Sequence, residues 1–310
     1  MHTILGANGA IANGIAKELH NHNINLRLVS RNPKRIHDND ELVSADLLNA
    51  EQVMNAVKGS EVVYLTPGLT YNIKVWQDQW PRLMQNVINA CKAHGAKLVF
   101  FDNVYAYGLV NGWMTEETPL NPVSKKGAVR KQLAEMLMAA QKEGLPVIIA
   151  RSADFYGAAS PISFMNVLVF EKIAKRQKPM LMASADKKHS LTYIDDAGKA
   201  TAMLGMSDTS WNQVWHVPTA DNPLTSKEMI AIAAELAGVK APGYTLLSKW
   251  MIKLIGIFMP VLKESYEMLY QNEYDYLFDS SKFNNAFHFD PTPYRKGIEE
   301  TLKSYGVMKK

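Results

Sequence analysis

Through the first half of the chain, short apolar runs with little charge alternate with longer stretches in which apolar residues return every third or fourth position. The runs "TIL" (3–5), "LRLVS" (26–30), "VVYL" (62–65), "KLVFF" (97–101) and "PVIIA" (146–150) read as strands, and their β-branched, non-alternating make-up suits a parallel sheet covered on both faces. Between them, Ala10 to His22, Ala50 to Val57, Val75 to His94 and Ser124 to Glu143 carry the helical period. Repeated strand–helix–strand units predict an α/β fold with a doubly wound parallel sheet. After Arg151, prolines, aromatics and polar turns interrupt the pattern, as expected of a smaller, mostly C-terminal substrate domain. The expected division is 1–155 for a dinucleotide-binding domain, with a returning segment near 188–217, and 156–310 for the smaller part.

The longest apolar run, "WMIKLIGIFMPVL" from Trp250 to Leu262, is interrupted by Lys253 and Pro260 and falls short of the ~20 residues that span a bilayer. It reads as a buried pocket-lining or interface helix, with a membrane-surface helix as the alternative. Phe164, Met165, Trp250, Met251, Phe258 and Met259 suggest an apolar pocket; the same residues would serve a core or a dimer interface, so a homodimer is an open possibility. The formal charge of +4 is mild and its cations scattered, which points to phosphate-bearing small molecules before nucleic acid. The single cysteine, Cys91, excludes an internal disulfide and, with no signal segment ahead of the first strand, fits a cytoplasmic protein. His20 and His22 lack further ligands at metal-binding spacing, so no metal is expected.

"TILGANGAIANGIAKEL" sets Gly6 and Gly9 directly after the first strand, with Ala12 in the first turn of a helix. This is the phosphate-binding turn of a Rossmann fold: one glycine turns the chain, the next admits backbone N–H groups to a pyrophosphate, and a small third residue packs helix on sheet. Gly6, Asn8, Gly9, Ala10, Ile11 and Ala12 are therefore candidate cofactor ligands. NAD sites usually place an acid roughly 20 residues further on, to hold the ribose 2′-hydroxyl. Here the second strand ends "LVSRNPKR", and Arg31 would attract a 2′-phosphate, so NADP is expected over NAD. Asp46 is a candidate adenine partner or, alternatively, a helix N-cap.

These features, with "ARSADFYGAAS", "HSLTYIDDAGKA" and "VWHVPTADNPLTSKEM", make the chain resemble the extended short-chain dehydrogenase/reductases, the group that contains nucleotide-sugar epimerases and dehydratases. The resemblance implies cofactor contacts at Leu65, Thr66 and Pro67 after the fourth strand, and at Ala153 and Asp154 after the sixth. Family catalysis depends on a Ser or Thr, a Tyr and a Lys. Laid on that pattern, "TEETPLNPVSKKGAVRKQLAE" puts Lys126 at the tyrosine and Arg130 at the lysine, and "FFDNVYAYG" puts Asn103 at the serine. All three positions are altered, which marks an atypical member.

At about 100° per residue, Lys126 and Arg130 fall beside the apolar stripe of Val129, Leu133, Met136, Leu137 and Ala140, whereas Lys131 points away. Two inward cations at a helix start repel one another unless something anionic or polyhydroxylated meets them. An arginine stays charged, so Arg130 is expected to hold the nicotinamide ribose or a substrate anion. A lysine can exchange a proton, as in the isoflavone-reductase-like relatives, and Lys126 is the leading proton carrier, with Tyr105 and Tyr107 as rivals. Asn103 is placed to donate to a substrate oxygen. The function expected is NADP-dependent hydride transfer to or from a small organic carbonyl, alcohol or activated double bond. A nucleotide-sugar epimerase or dehydratase, and a nonenzymatic NADP-binding sensor or scaffold, are the alternatives.

Overall fold

Seven strands join edge to edge, every pair parallel, into one sheet. They are β1 (His2–Leu5), β2 (Leu26–Ser30), β3 (Glu41–Ser44), β4 (Val62–Leu65), β5 (Lys97–Asn103), β6 (Val147–Ser152) and β7 (Gln213–His216). Their order is β7-β6-β5-β4-β1-β2-β3 in this computed structural model, which describes residues 1–160, 163–240 and 243–307. The chain starts mid-sheet, winds to one edge, returns beside β1 and winds to the other, so β1 and β4 flank the switch point where such sheets bind ligands. Leu5 pairs with both Val29 and Leu65, and Leu65 with Phe100, so the loops after β1, β2 and β4 leave one rim of the sheet.

The helices of this layer are α1 (Ala10–Asn21), α2 (Ala50–Val57), α3 (Ile73–His94), α4 (Lys125–Lys142) and α5 (Ile194–Met206). Neighbouring helices α2, α3 and α4 pack side by side. On α1, Ile11, Ala12, Ile15, Ala16 and Leu19 are buried. Gly14 meets Gly198 of α5 backbone to backbone: a Cβ on Gly198 would lie 2.7 Å from the Gly14 Cα, closer than real Cβ atoms come.

The chain divides into two compact units, the first made of Met1–Ala106, Lys125–Ser152 and Ala197–Val217. The second holds Tyr107–Ser124, Ala153–Asp196 and Pro218–Lys310. These limits differ from the expected 1–155 and 156–310 for reasons of strand pairing. Trp113–Met114 pairs with Leu277–Phe278, which takes residues 107–124 into the second unit. Leu191–Tyr193 pairs with Asp154–Tyr156, so only the later part of the expected return, ending in β7, reaches the main sheet. Strands of the second unit form two-stranded pairs around a core that includes Tyr156, Phe170, Ile173, Tyr294, Ile298 and Leu302.

Trp250 to Leu262 is not the buried helix that its composition suggests. Pro260 opens a second helix and splits the run into Lys249–Ile255 and Pro260–Ser265. Ile252 packs with Met182, Leu247 and Leu269, but Trp250, Ile257 and Phe258 are 68%, 71% and 83% exposed. Phe164 and Met259 are exposed as well, so the residues expected to line one apolar pocket lie largely at the surface.

Replacing Gly198 by Ala forces α1 and α5 apart and is expected to cost about 1–3 kcal/mol, read as a lower urea midpoint with an unchanged m value.

Candidate active site

Gly6 leaves β1 with φ of 99°, and a Cβ there would lie 2.5 Å from the Pro67 nitrogen, so the loops after β1 and β4 touch through a position only glycine can occupy. Thr66, beside it, donates its N–H to the Leu5 carbonyl at 2.9 Å and its hydroxyl to the same oxygen at 3.2 Å. Asn8, with φ of 77°, clasps the loop that follows β2. Its amide donates to the Asn32 carbonyl at 2.8 Å and to Ser30 Oγ at 3.3 Å, while its Oδ1 accepts from the Lys34 N–H at 2.9 Å. A ligand contact from Asn8 therefore falls to its backbone.

Gly9 caps α1 without a side chain, and the first turn carries no acid. The amides of Ala10, Ile11 and Ala12 thus meet no side-chain cap and no negative charge, the arrangement that receives a phosphate. A dinucleotide fits this loop. Beyond β2, Arg31 is exposed and, among the described residues, stands in no ion pair; its carbonyl accepts from Ser44 Oγ at 2.8 Å. The Asp46 carboxylate is exposed and accepts from the Leu48 N–H at 3.0 Å, while Asn49, rather than Asp46, caps α2.

At the β5–α4 corner the two inward cations are where the helical period puts them, and the chain itself supplies what meets them. Arg130 Nε donates to Asp102 Oδ1 at 2.7 Å, and Arg151 Nε donates to Asp102 Oδ2 at 3.2 Å. Asp102 is 1% exposed and Arg130 5%. The Arg130 guanidinium also lies over Trp80 and Phe100, 4.6 and 5.0 Å from their ring centres. The anion that answers Arg130 is thus Asp102, which differs from the expected role of gripping a ribose or substrate anion. Lys126 is fully buried, with Nζ 4.6 Å from the centre of the Tyr71 ring. Tyr71 meets Trp76 edge-on, and Trp76 stacks on Tyr105, so Lys126, Arg130 and Tyr105 share one aromatic cluster. Asn103 Oδ1 accepts from the Tyr105 N–H at 3.1 Å, a local turn that occupies its carbonyl. Tyr107 ends the same short turn, is buried, and belongs to the second unit.

In the second unit Asp154, next to Ala153, faces His189, which is buried in a short strand. His189 Nε2 is 3.1 Å from Asp154 Oδ2, and Nδ1 is 3.1 Å from the Gln271 carbonyl. A carbonyl only accepts, so Nδ1 carries hydrogen, and the Nε2–Oδ2 contact is a hydrogen bond only with a proton between the two atoms. Tyr270 and Tyr276 lie in the same unit, and burial raises both phenols, so each stays protonated near neutrality. Burial likewise pushes the Cys91 thiol up to about 12, which leaves it inert. Sequence reasoning missed Asp102, whose signal was a lone carboxylate in an otherwise apolar strand, and the partners of His189, which are distant in the chain.

Residues 2–213 match the NAD dependent epimerase/dehydratase family. Among curated proteins the chain is similar to 3beta-hydroxysteroid-dehydrogenase/decarboxylase isoform 2 of Arabidopsis thaliana, 23% identical over 86% of this chain and 52% of the relative. It is also similar to isoform 1, 24% identical over 87% of this chain and 67% of that relative. The chain therefore spans about half the length of the first of these relatives and two thirds of the second. Among solved structures it is similar to UDP-glucuronic acid 4-epimerase from Bacillus cereus in complex with NAD, with TM-score 0.79, 16% identity and 99% of each chain covered. The dTDP-glucose 4,6-dehydratase from Bacillus anthracis in complex with NAD gives TM-score 0.79 and 18% identity, over 99% of this chain and 97% of that one.

Removing Asp102 leaves two buried guanidinium groups without their carboxylate. Asp102→Ala is expected to cost about 3–5 kcal/mol, and Asp102→Asn less, by urea denaturation; an Asp102→Ala midpoint equal to that of the exposed-site control Lys17→Ala would contradict the bridge.

Proposed function

The chain belongs to the NAD-dependent epimerase/dehydratase family, and on that premise we propose that it is an NADP(H)-dependent oxidoreductase acting on a small organic carbonyl or alcohol. The observation that carries the reading is the pairing of an uncapped glycine loop with an exposed, acid-free strand end at Arg31, held to that loop by Asn8. When bound, the nucleotide supplies or accepts a hydride. The amides of residues Gly9 to Ala12 hold the pyrophosphate, and Arg31 pairs with the 2′-phosphate. The relatives solved with NAD bind the nucleotide without that phosphate in their names, so Arg31 is where this chain is proposed to differ.

Arg130 is a fixed strut in this reading, tied to Asp102 and roofed by Trp80. That leaves Lys126, four residues earlier on the same helix face, to exchange the proton with the substrate oxygen, its ammonium steadied by the Tyr71 face. The hydroxysteroid and nucleotide-sugar names of the relatives support a hydroxyl- or carbonyl-bearing substrate. A second reading, an NADP(H)-binding protein that performs no chemistry, is favoured by the full burial of Lys126 and the engagement of Arg130 within the protein.

Arg31→Ala is expected to weaken NADPH binding about tenfold to a hundredfold, the weight of one or two charge-assisted hydrogen bonds, and to leave NADH binding unchanged by titration calorimetry. Equal losses for both nucleotides would remove the NADP preference. With NADPH and a panel of aldehydes and ketones, Lys126→Met is expected to bind the nucleotide and lose hydride transfer. Retained turnover would take the proton away from Lys126, and a wild type that binds NADPH yet reduces nothing would favour the second reading.

A further inference from the structure

The most exposed apolar surface of the second unit is the turn between the helices Lys249–Ile255 and Pro260–Ser265. Its inward face is well accounted for. Ile252 is fully buried in a cluster with Met182, Leu247 and Leu269, and Met251, Ile255 and Leu262 pack against that cluster. At Gly256 the two helices approach so closely that a Cβ would lie 3.0 Å from the Ile252 carbonyl oxygen and 3.1 Å from the Lys263 backbone, so the turn is a tight, packed hairpin. What faces outward is equally apolar. Trp250, Leu254 and Ile257 follow one another at helical spacing with 68%, 55% and 71% exposure, and Phe258, Met259 and Val261 add 83%, 51% and 56%. A protein in water rarely presents so many large apolar side chains side by side without a use for them.

Charge around the patch selects the occupant. From Lys240 to Lys263 the chain has four lysines and no acid. Lys249 is paired with Glu273 at 2.9 Å, whereas Lys253 and Lys263 are exposed and, among the described residues, stand in no ion pair. A second copy docked on the patch about a two-fold axis would bring these lysines toward their own counterparts, with one carboxylate in each hairpin, Glu264, against three lysines, so the net repulsion stands. A bilayer with anionic headgroups satisfies both features at once: apolar tips enter the acyl boundary, lysines reach headgroup phosphates, and an indole such as Trp250 sits at the interface. We propose that the hairpin tip at Gly256–Met259 is a docking site for an anionic membrane surface, with Trp250, Leu254, Ile257 and Phe258 entering the lipid and Lys253 and Lys263 meeting its phosphates. The hairpin is too short to span the bilayer, and among the described residues no helix is long and apolar enough to cross one. The attachment is peripheral and reversible.

The test is sedimentation of the full chain with vesicles of phosphatidylcholine alone or mixed with phosphatidylglycerol. The wild type is expected to pellet with the mixed vesicles, less with phosphatidylcholine, and less again at raised salt. Ile257→Asp with Phe258→Asp is expected to lower partitioning by at least about tenfold, since both apolar side chains are withheld from the lipid. Lys253→Glu with Lys263→Glu is expected to remove the preference for phosphatidylglycerol. All of these positions are exposed, and an unchanged near-ultraviolet dichroism spectrum establishes that each variant folds. Absence of wild-type binding to the mixed vesicles overturns the proposal, as does wild-type-like binding of the doubly acidic tip variant. A dimer in analytical ultracentrifugation that the tip variant abolishes, without vesicle binding, would assign the patch to a second copy instead. None of these readouts depends on NADP(H), so failure here leaves the proposed activity standing.

Discussion

The first unit turns on one buried carboxylate. Asp102 on β5 lies opposite Arg151 on β6 in the register of the sheet, and Arg130 reaches it from α4, so one side chain joins two strands and a helix. Two guanidinium groups and one carboxylate are expensive to bury, and such a set is tolerated when geometry is good and both oxygens are used, as they are here. The aromatic roof of Trp80 and Phe100 covers Arg130, which makes the site one of fixed charges. Because Arg130 is held, the start of α4 is held, and with it the position of Lys126.

That bridge also shows why five of the seven sheet strands and the helices α1 to α4 were legible from sequence while the site was legible only in part. Period and composition place α2 at Ala50–Val57 and α4 within a residue of its ends, because each is decided by local spacing. Helical period also puts Lys126 and Arg130 on the inward face. It says nothing about what lies opposite, and the partners Tyr71, Trp80 and Asp102 come from elements far away in the chain. The partners of His189 are hidden from sequence for the same reason: its contacts with Asp154 and with the carbonyl of Gln271 join residues separated by long stretches of sequence. The run from Trp250 to Leu262 misled in another way, since average hydrophobicity cannot distinguish side chains that turn into a core from side chains that turn out to solvent.

At the other corner the loops are preorganised by contacts that only particular residues allow. Gly6 lets the loop after β1 lie against Pro67, and Asn8, itself in a left-handed conformation, ties the same loop to the turn that carries Arg31. The chain pays for a non-glycine residue in that conformation with three hydrogen bonds, which fix the distance between a phosphate-binding turn and a basic one. In the proposed function, specificity for a nucleotide rests partly on Asn8, whose side chain ties one loop to the other.

The contact between Gly14 and Gly198 has a consequence for the order in which the molecule can be made. Gly14 leaves the ribosome well before its partner and the edge strand β7, which lie nearly two hundred residues further on, beyond two whole segments of the second unit. Until that later stretch emerges, the glycine face of α1 is uncovered and β6 is an open sheet edge, the kind of surface that pairs with other chains. The nascent first unit therefore spends the middle of synthesis as an incomplete sheet, and the interval before β7 arrives is when a growing chain of this design most needs protection from its neighbours.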